Sequence, residues 1–474
     1  MTTTINWRAV LVIAAIMGCR LLGLFMILPI LSTQAQHLNG ATASLIGMAM
    51  GAYGLTQAIF QIPMGALSDR IGRRPVIVIG LLCFAAGSVV AALSTSMWGV
   101  IIGRACQGAG AIGSTLLALI ADVTPDEKRS RAMAAVGGGI GLSFALAMVL
   151  GPLVSAHYQL SGVFWFMFAL ACLGIVLLLF IPKLPVAVSD PMAQSTRGGP
   201  WRQVLTSRQL LSLDASIAFQ HAILTALFIA LPLILAHEYE LTGMGQSIFY
   251  LVVLVAAFFA MVPGVIVAEK HRALRRSIRY SVAALCVTLL LISGFYQHWF
   301  VFVVSLFVFF TAFTLLESVL PSSVSKAAPL HAKGVAMGVY STSQYLGIFL
   351  GGSLGGVMHH AFGLQGVLLL CAGLALIWLV ITAALRPFTY VSTMMFALSD
   401  ASNSLTNKLI QDLLSMPGVA DAAVCSASSL LYVKVDKREA DGEALRLRIE
   451  TSNLGAGHKQ CVKGLRGQHD DQST

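Results

Sequence analysis

Apolar residues in this chain come in long runs rather than at alternating positions. Twelve runs can be marked, near residues 8–31, 42–66, 75–94, 98–121, 131–156, 162–182, 210–236, 245–268, 276–294, 298–324, 334–358 and 364–385. Each is near the ~20 apolar residues that a helix needs to cross a bilayer. A membrane β-barrel would instead alternate apolar and polar positions in segments of ~10 residues. The pattern therefore predicts an all-α polytopic membrane protein. The first run follows Arg8 and has no small-residue cleavage site behind it, so it reads as a retained helix rather than a signal peptide. Composition agrees: of 474 residues, 57% are hydrophobic and 11% charged. Soluble domains carry roughly 25% charged residues, and half that density cannot cover a water-facing surface of this length.

After Arg386 the pattern changes. "TYVSTMMFALS" reads as a strand, "NSLTNKLIQDLLSM" as a helix, "ADAAVCSASSLLYVKVD" as a hairpin and "DGEALRLRIE" as a second helix. The order βαββα suggests a small ferredoxin-like domain over 387–450, although its last strand is not evident. Without that strand an edge is exposed and the domain is small for independent stability. The polar stretch 451–474 reads as a disordered tail. No Cys-x-x-Cys pair accompanies the domain, so no metal is expected there. The eight cysteines lack metal-ligand spacing, and most lie in apolar runs, where they read as small packing residues.

Charge gives the topology. Arg8, Arg70, Arg73, Arg74, Lys128, Arg129, Arg131, Lys183, Arg197, Arg202, Arg208, Lys270, Arg272, Arg275, Arg276, Arg279, Lys326, Lys333 and Arg386 all fall on one side of the predicted spans. Loops on the other side, such as "STQAQHLNGA" and "AHYQLSG", have neither lysine nor arginine. The positive-inside rule then places both termini in the cytoplasm. The net charge of +10 is mostly this topology signal, and no nucleic acid partner is expected.

The longest interruption, residues 183–209, divides the spans into bundles over 1–182 and 210–386. The halves echo each other. Pro63 is followed by Asp69 and Arg70, and Pro263 at the same interval by Glu269 and Lys270. "KRSRAMAAVGG" faces "AKGVAMGVYST" at matching places. Such repeats are the usual architecture of secondary transporters, with the substrate site at the repeat interface.

Excluding span ends, four ionisable residues stand out within spans, on spans one, four, seven and ten: Arg20, Arg104, His221 and Glu317. Each is costly in a membrane and needs a reason. Glu317 is the sole deep carboxylate in this reading and the first candidate for proton coupling. Its alternative is a structural acid bonded to a neighbouring helix. His221 is the second candidate, against a hydrogen-bonded packing histidine. Arg20 stays charged and should hold an anion, either a carboxylate or a substrate group. Gln57, Gln107 and Gln344 are polar candidates for the same cavity. No nucleotide-binding loop is visible, which argues against ATP, and no nucleophile–base pair points to an enzyme. No cofactor is implied. The small-residue stripes "AVGGGIGLSFALAMVLGP" and "GIFLGGSLGG" should let spans five and eleven press against neighbours.

"GALSDRIGRRP" is the most specific motif. Gly65, Asp69, Arg70, Gly72, Arg73 and Arg74 resemble the loop 2–3 signature of the major facilitator superfamily. "VIIGRACQGAGAIG", with Arg104, Gln107, Gly108 and Gly110, is similar to the span-four pattern of its proton-coupled drug antiporters. The span-five antiporter motif is partial: Gly138, Gly151 and Pro152 fit, whereas Ala147, Ser155 and Ala156 stand where glycines belong. The resemblance implies a proton-driven exporter in a bacterial inner membrane, carrying small hydrophobic or amphipathic molecules by alternating access. It implies a proton-transfer role for Arg104, whose alternative is a hydrogen-bond donor that pins helices together, and that spans one, four, seven and ten line the cavity. It also implies a cytoplasmic latch. In that latch Asp69 meets the start of helix eleven, near Gly334, while the arginines bridge to Asp122 and lipid phosphates. Gly65 without a Cβ permits close helix approach, and a helix N-terminus favours a carboxylate. A plain topogenic loop is the simpler alternative for the charges. A monomer is expected, with the C-terminal domain as the part that could carry dimerisation. A membrane sensor that binds but does not carry a ligand, with that domain as output, remains the competing function.

Overall fold

A computed structural model describes residues 7–124, 129–181, 199–329, 332–388, 392–397, 403–425, 430–436 and 442–453. Most of the 183–209 loop, the tail from 454, Lys128 and Cys461 lie outside the described residues.

The helices are α1 (Trp7–Met26), α2 (Leu31–Gln34), α3 (Ala43–Ile71), α4 (Arg73–Leu93), α5 (Met97–Ala109), α6 (Gly113–Val123) and α7 (Arg129–Leu178). They continue as α8 (Gly199–Thr206), α9 (Arg208–His237), α10 (Met244–Lys270), α11 (Leu274–Phe295), α12 (Trp299–Ala327) and α13 (Lys333–Ala383). Ten stretches are long and apolar enough to cross a membrane, counting α5 with α6 as one. Two of the ten are too long for one crossing: α7 has 50 residues and α13 has 51, about 75 Å each at 1.5 Å per residue. Each contains one residue with non-helical, positive φ, Gln159 (57°) and Gly363 (65°), at the places where the hydrophobic pattern changes spans. Reading each as two spans gives the twelve expected.

Local chemistry sets several boundaries. Thr42 caps α3 by accepting from the Leu45 amide at 3.2 Å, and Ser96 caps α5 by accepting from the Gly99 amide at 3.3 Å. Gly72 separates α3 from α4 with φ 95°, a backbone that a side chain would strain. Span four is broken at Gly110–Ile112 into α5 and α6. Gly110 stands there because a Cβ would lie 2.2 Å from the Gly80 carbonyl oxygen of α4.

The chain packs as two units. The first, Met1–Val188 with Ser212–Pro321 and Gly338–Leu385, holds the transmembrane helices. Burial within it is unequal: 89% of the apolar window of α9 is buried against 22% for α10. Thus α9 runs through the bundle interior and α10 at its periphery. Large apolar side chains such as Phe259, Phe300, Leu179 and Val380 face outward, as a lipid-facing surface requires. The protein is a multi-pass membrane protein.

The second unit comprises Ser189–Leu211, Ser322–Met337 and Arg386–Thr474. It contains an antiparallel sheet in the order β1-β3-β2, from β1 (Ser392–Ala397), β2 (Val419–Cys425) and β3 (Leu430–Val435). Met394 pairs with Val433, and Val424 with Leu431. Leu409 and Leu413 of α14 (Asn403–Leu414), and Leu445 and Ile449 of α15 (Gly442–Asn453), cover Leu431 and Val433 to form its core. Three strands are described, one fewer than a βαββαβ unit needs, so the ferredoxin-like assignment is not supported. A closing strand would fall after Asn453, outside the described residues.

Candidate functional site

The first unit's interior polar groups form two networks, one in each half. In the N-terminal half, Arg20 on α1 is buried, and its Nη2 donates to the Tyr53 hydroxyl at 2.9 Å. The same nitrogen donates to Gln57 Oε1, and Gln57 passes the chain to Gln61 at 2.9 Å. Arg20 thus has neutral oxygens as partners and no carboxylate among the described residues. Of the two anions expected for Arg20, a carboxylate is not what it meets: Tyr53 and Gln57, one turn apart on α3, take Nη2, and Nε is buried without a partner among the described residues.

Arg104, on α5, is fully buried. Its Nη1 donates to Gln107 Oε1 at 2.9 Å, and Gln107 donates to Ser88 Oγ at 2.8 Å. Its guanidinium carbon stands 4.9 Å from the centroid of the Tyr53 ring. Tyr53 therefore serves both arginines, accepting from Arg20 at its hydroxyl and presenting its π face to Arg104. The sequence reading passed over Tyr53, because an aromatic inside an apolar run carries no signal of its own.

In the C-terminal half, His221 of α9 is buried. Its Nδ1 lies 3.3 Å from the Ile217 carbonyl oxygen, so Nδ1 carries the proton. Nε2 is then an acceptor, and the Gln344 amide nitrogen lies 2.8 Å from it. Glu317 Oε2 is 3.9 Å from the same Nε2 and accepts from Gln220 Nε2 at 2.9 Å. The structure thus brings Glu317, His221 and Gln344 together from α12, α9 and α13, and adds Gln220.

Burial also corrects one expectation. Glu317 is partly exposed and is not the sole deep carboxylate, because Asp214 on α9 is 4% exposed. Asp214 was passed over as a span-end residue. The usable signal was its spacing, seven residues before His221 and so on the same helix face.

A small cavity, with room for about one water molecule, joins the two networks. Arg104 and His221 line it together with Phe25, Met50, Thr225 and Ile348. At the end of the bundle where α3 begins, the halves close tightly. A Cβ on Gly47 would stand 2.3 Å from the Gly352 carbonyl oxygen, and one on Gly54 would stand 2.6 Å from that of Tyr345. Within the C-terminal half, Gly347 and Gly351 press α13 onto Ala218 and Ala222 of α9. Toward the arginine-rich end, Gly137, Gly138, Gly139, Gly141 and Gly338 have nothing within 4 Å of a Cβ position.

Residues 13–352 match the Major Facilitator Superfamily. The chain belongs to this superfamily of membrane transporters. It is 40% identical over 433 residues to the inner membrane transport protein YajR of Escherichia coli, covering 91% of this chain and 94% of that one. A class H tetracycline resistance protein of Pasteurella multocida is 31% identical over 156 residues, 32% of this chain and 39% of that protein. Among solved structures, a bacterial homolog of the human lysosomal transporter Spinster superposes with a TM-score of 0.65 at 14% identity. That match covers 82% of this chain and 98% of that one, and describes an inward-facing, occupied conformation of that protein.

The motif from Gly65 to Arg74, between spans two and three, is ordered around Arg73. This arginine donates to Asp69, to Ser68 Oγ at 2.7 Å and to Asp122 Oδ2 at 3.1 Å. Arg74 donates to the Leu178 carbonyl at 3.2 Å. Gly65 faces Ser114 of α6, 3.3 Å from a Cβ position. Arg70 is exposed on the last turn of α3. Of the span-five residues, Gly151 lets α7 approach the Met26 carbonyl, 2.6 Å from a Cβ, with Pro152 beside it, while Gly138 faces open space.

Proposed function

We propose that this transporter exports small hydrophobic or amphipathic compounds by proton-coupled alternating access, with both termini cytoplasmic. The observation that carries the reading is the His221 site. A proton added at Nε2 would set two donors face to face across the 2.8 Å gap to Gln344. Gln344 must then turn its amide or withdraw, and the Glu317 carboxylate at 3.9 Å becomes the counter-charge. Gln344 lies on α13, the helix that closes one end of the bundle against α3. Protonation of one side chain is thereby felt at the closure. Arg20 and Arg104 supply the fixed positive charges of the cavity.

The tetracycline resistance relatives support the outward direction, and the lysine- and arginine-rich side supports the placement of the termini. On this reading Arg73, joining Asp69 and Asp122, is the inner latch. Nothing favours the sensor alternative over transport.

The test is substrate-dependent proton movement in proteoliposomes, followed with a pH-sensitive dye across a panel of lipophilic cations and neutral aromatics. Glu317→Gln should still bind and exchange a responding compound but fail to accumulate it under a pH gradient. Full gradient-driven accumulation by that variant would remove Glu317 from the coupling site.

A further inference from the structure

The N-terminal half buries two guanidiniums and has no acid at their depth. The acidic residues before position 183 are Asp69, Asp122, Asp126 and Glu127, all in or beside the loops at the arginine-rich end. Arg20 is 3% exposed and Arg104 1%. Arg104 is bonded through Nη1 to Gln107 and through Nε to the Ala49 carbonyl oxygen at 3.5 Å. Arg20 is less well served: Nη2 donates to Tyr53 and Gln57, while Nε is buried without a partner among the described residues. In the other half Glu317 accepts from Gln220, and no ion pair joins either arginine to Glu317 or Asp214 among the described residues. A cation inside a membrane is costly unless a counter-charge meets it.

Both arginines belong to one place, because Tyr53 touches each of them. Arg20 lies one turn before Leu24 and two before Leu28 on the same face of α1, and both leucines line the central cavity together with Arg104. Arg20 therefore stands one turn from that cavity, toward the arginine-rich end. The walls around the pair are aromatic. Phe25 of α1, also in the cavity lining, meets Phe144 of α7 edge-on with centroids 5.0 Å apart. Phe144 lies near-parallel to Phe313 of α12 at 6.4 Å, so the aromatic contact crosses from one half to the other. Tyr345 of α13 faces Tyr53 across the same boundary at 6.5 Å.

We propose that the molecule carried is an organic anion with an aromatic body. Its acid group, a carboxylate or sulfonate, accepts from Arg20 Nε, and Arg104 adds the second positive charge. Planar guanidinium and two-oxygen acid match in shape as well as charge. The rings of Phe25, Phe144 and Phe313 take the body, and an aromatic face packs against them by edge or offset contact. A cation of the same shape would meet two like charges instead. The proposal rests on the transport function proposed above and narrows its amphipathic compounds to acids, but the anion site itself is tested by binding alone.

The test is equilibrium dialysis with the purified full-length protein in neutral detergent. Its probes share one ring system: naphthalene-2-sulfonate, 2-naphthylmethanol and 2-naphthylmethylammonium. The sulfonate should bind about 10–100-fold more tightly than the other two, as a hydrogen bond to a charged group predicts. Arg20→Gln should abolish that preference, and Arg20→Lys, which keeps the charge without the fork, should retain part of it. The wild-type ranking decides the substrate class without any variant: equal binding of the three probes, tighter binding of the ammonium, or no binding of the sulfonate at millimolar concentration overturns the proposal. Unchanged sulfonate binding by a folded Arg20→Gln also overturns it, because the acid group then sits elsewhere. Displacement of the sulfonate by an equal concentration of inorganic sulfate would make the site one for small ions and overturn the organic class. Proteoliposomes separate this inference from the transport reading. Arg20-dependent binding with no proton movement on adding the sulfonate removes coupling and leaves the anion site. Proton movement driven by the ammonium probe alone keeps transport and removes the acid class.

Discussion

Substituting Gly47 by alanine tests whether the α3–α13 contact is the element that opens and closes. A Cβ there would stand 2.3 Å from the Gly352 carbonyl oxygen and 2.5 Å from the Gly356 Cα. Both obstacles are backbone, so no side chain can swing away. Non-bonded carbon contacts relax at about 3.5–4.0 Å, so the helices must part by about 1 Å. Overpacking of this size costs about 1–3 kcal/mol. The cost falls only on the conformation closed at this end, and shifts the balance away from it by about 5–150-fold. The assay is labelling of a Met50→Cys reporter, in a background without native cysteines, by a membrane-impermeant maleimide from the side where α3 begins. Met50 is 1% exposed and lies one turn beyond Gly47 toward the central cavity. Faster labelling in Gly47→Ala, with correct insertion, is expected. An unchanged labelling rate would show that this contact does not gate the cavity.

Other outcomes follow from the same packing. Gly351→Ala places a Cβ 2.1 Å from the Ala222 carbonyl oxygen inside the C-terminal half, so its thermal stability in detergent should fall by about 1–3 kcal/mol, and Met50→Cys labelling should stay as in the parent. Tyr53→Phe removes the acceptor of a 2.9 Å bond from Arg20 while keeping the ring beneath Arg104; a loss of about 1.5–3 kcal/mol is expected in the same melts, and a larger one for Tyr53→Ala. In the second unit, Lys434 of β3 is buried, with its ammonium donating to the Ala328 carbonyl and, at 3.4 Å, to that of Lys326. Burial holds it below the ordinary lysine value of 10.5, with Lys333 acting in the same sense and Asp421 against it. The unfolded chain then binds more protons than the folded one just below that value, so stability of this domain rises with pH through the window. Limited proteolysis of the domain should slow as pH is raised there, and Lys434→Met should flatten the dependence.

What the amino-acid order determined by itself was everything that depends on solvent and local geometry. Run length is set by bilayer thickness, so twelve crossings were legible, including the changes of span at Gln159 and Gly363 that continuous helix conceals. The turn at Gly72 needs a residue without a Cβ, and the resemblance of its motif implied Asp122 as a partner of the arginines, which Arg73 meets, whereas Asp69, expected at the start of helix eleven, accepts from Arg73. The stripe before Gly356 likewise announced close packing. What the tertiary structure alone decided was partnership. Arg20 stands on a helix with two carboxylates in the other half, yet bonds Tyr53 and Gln57, 33 and 37 residues away. Glu317 takes Gln220, and His221 takes Gln344, 123 residues distant. Asp214 looked like a span end and is buried without a partner. Helical periodicity tells which face a residue occupies. Which residue it meets depends on the rotation and axial register of two helices against each other, and those are set by many apolar contacts and small-residue approaches summed over the whole bundle, none of which a single segment contains.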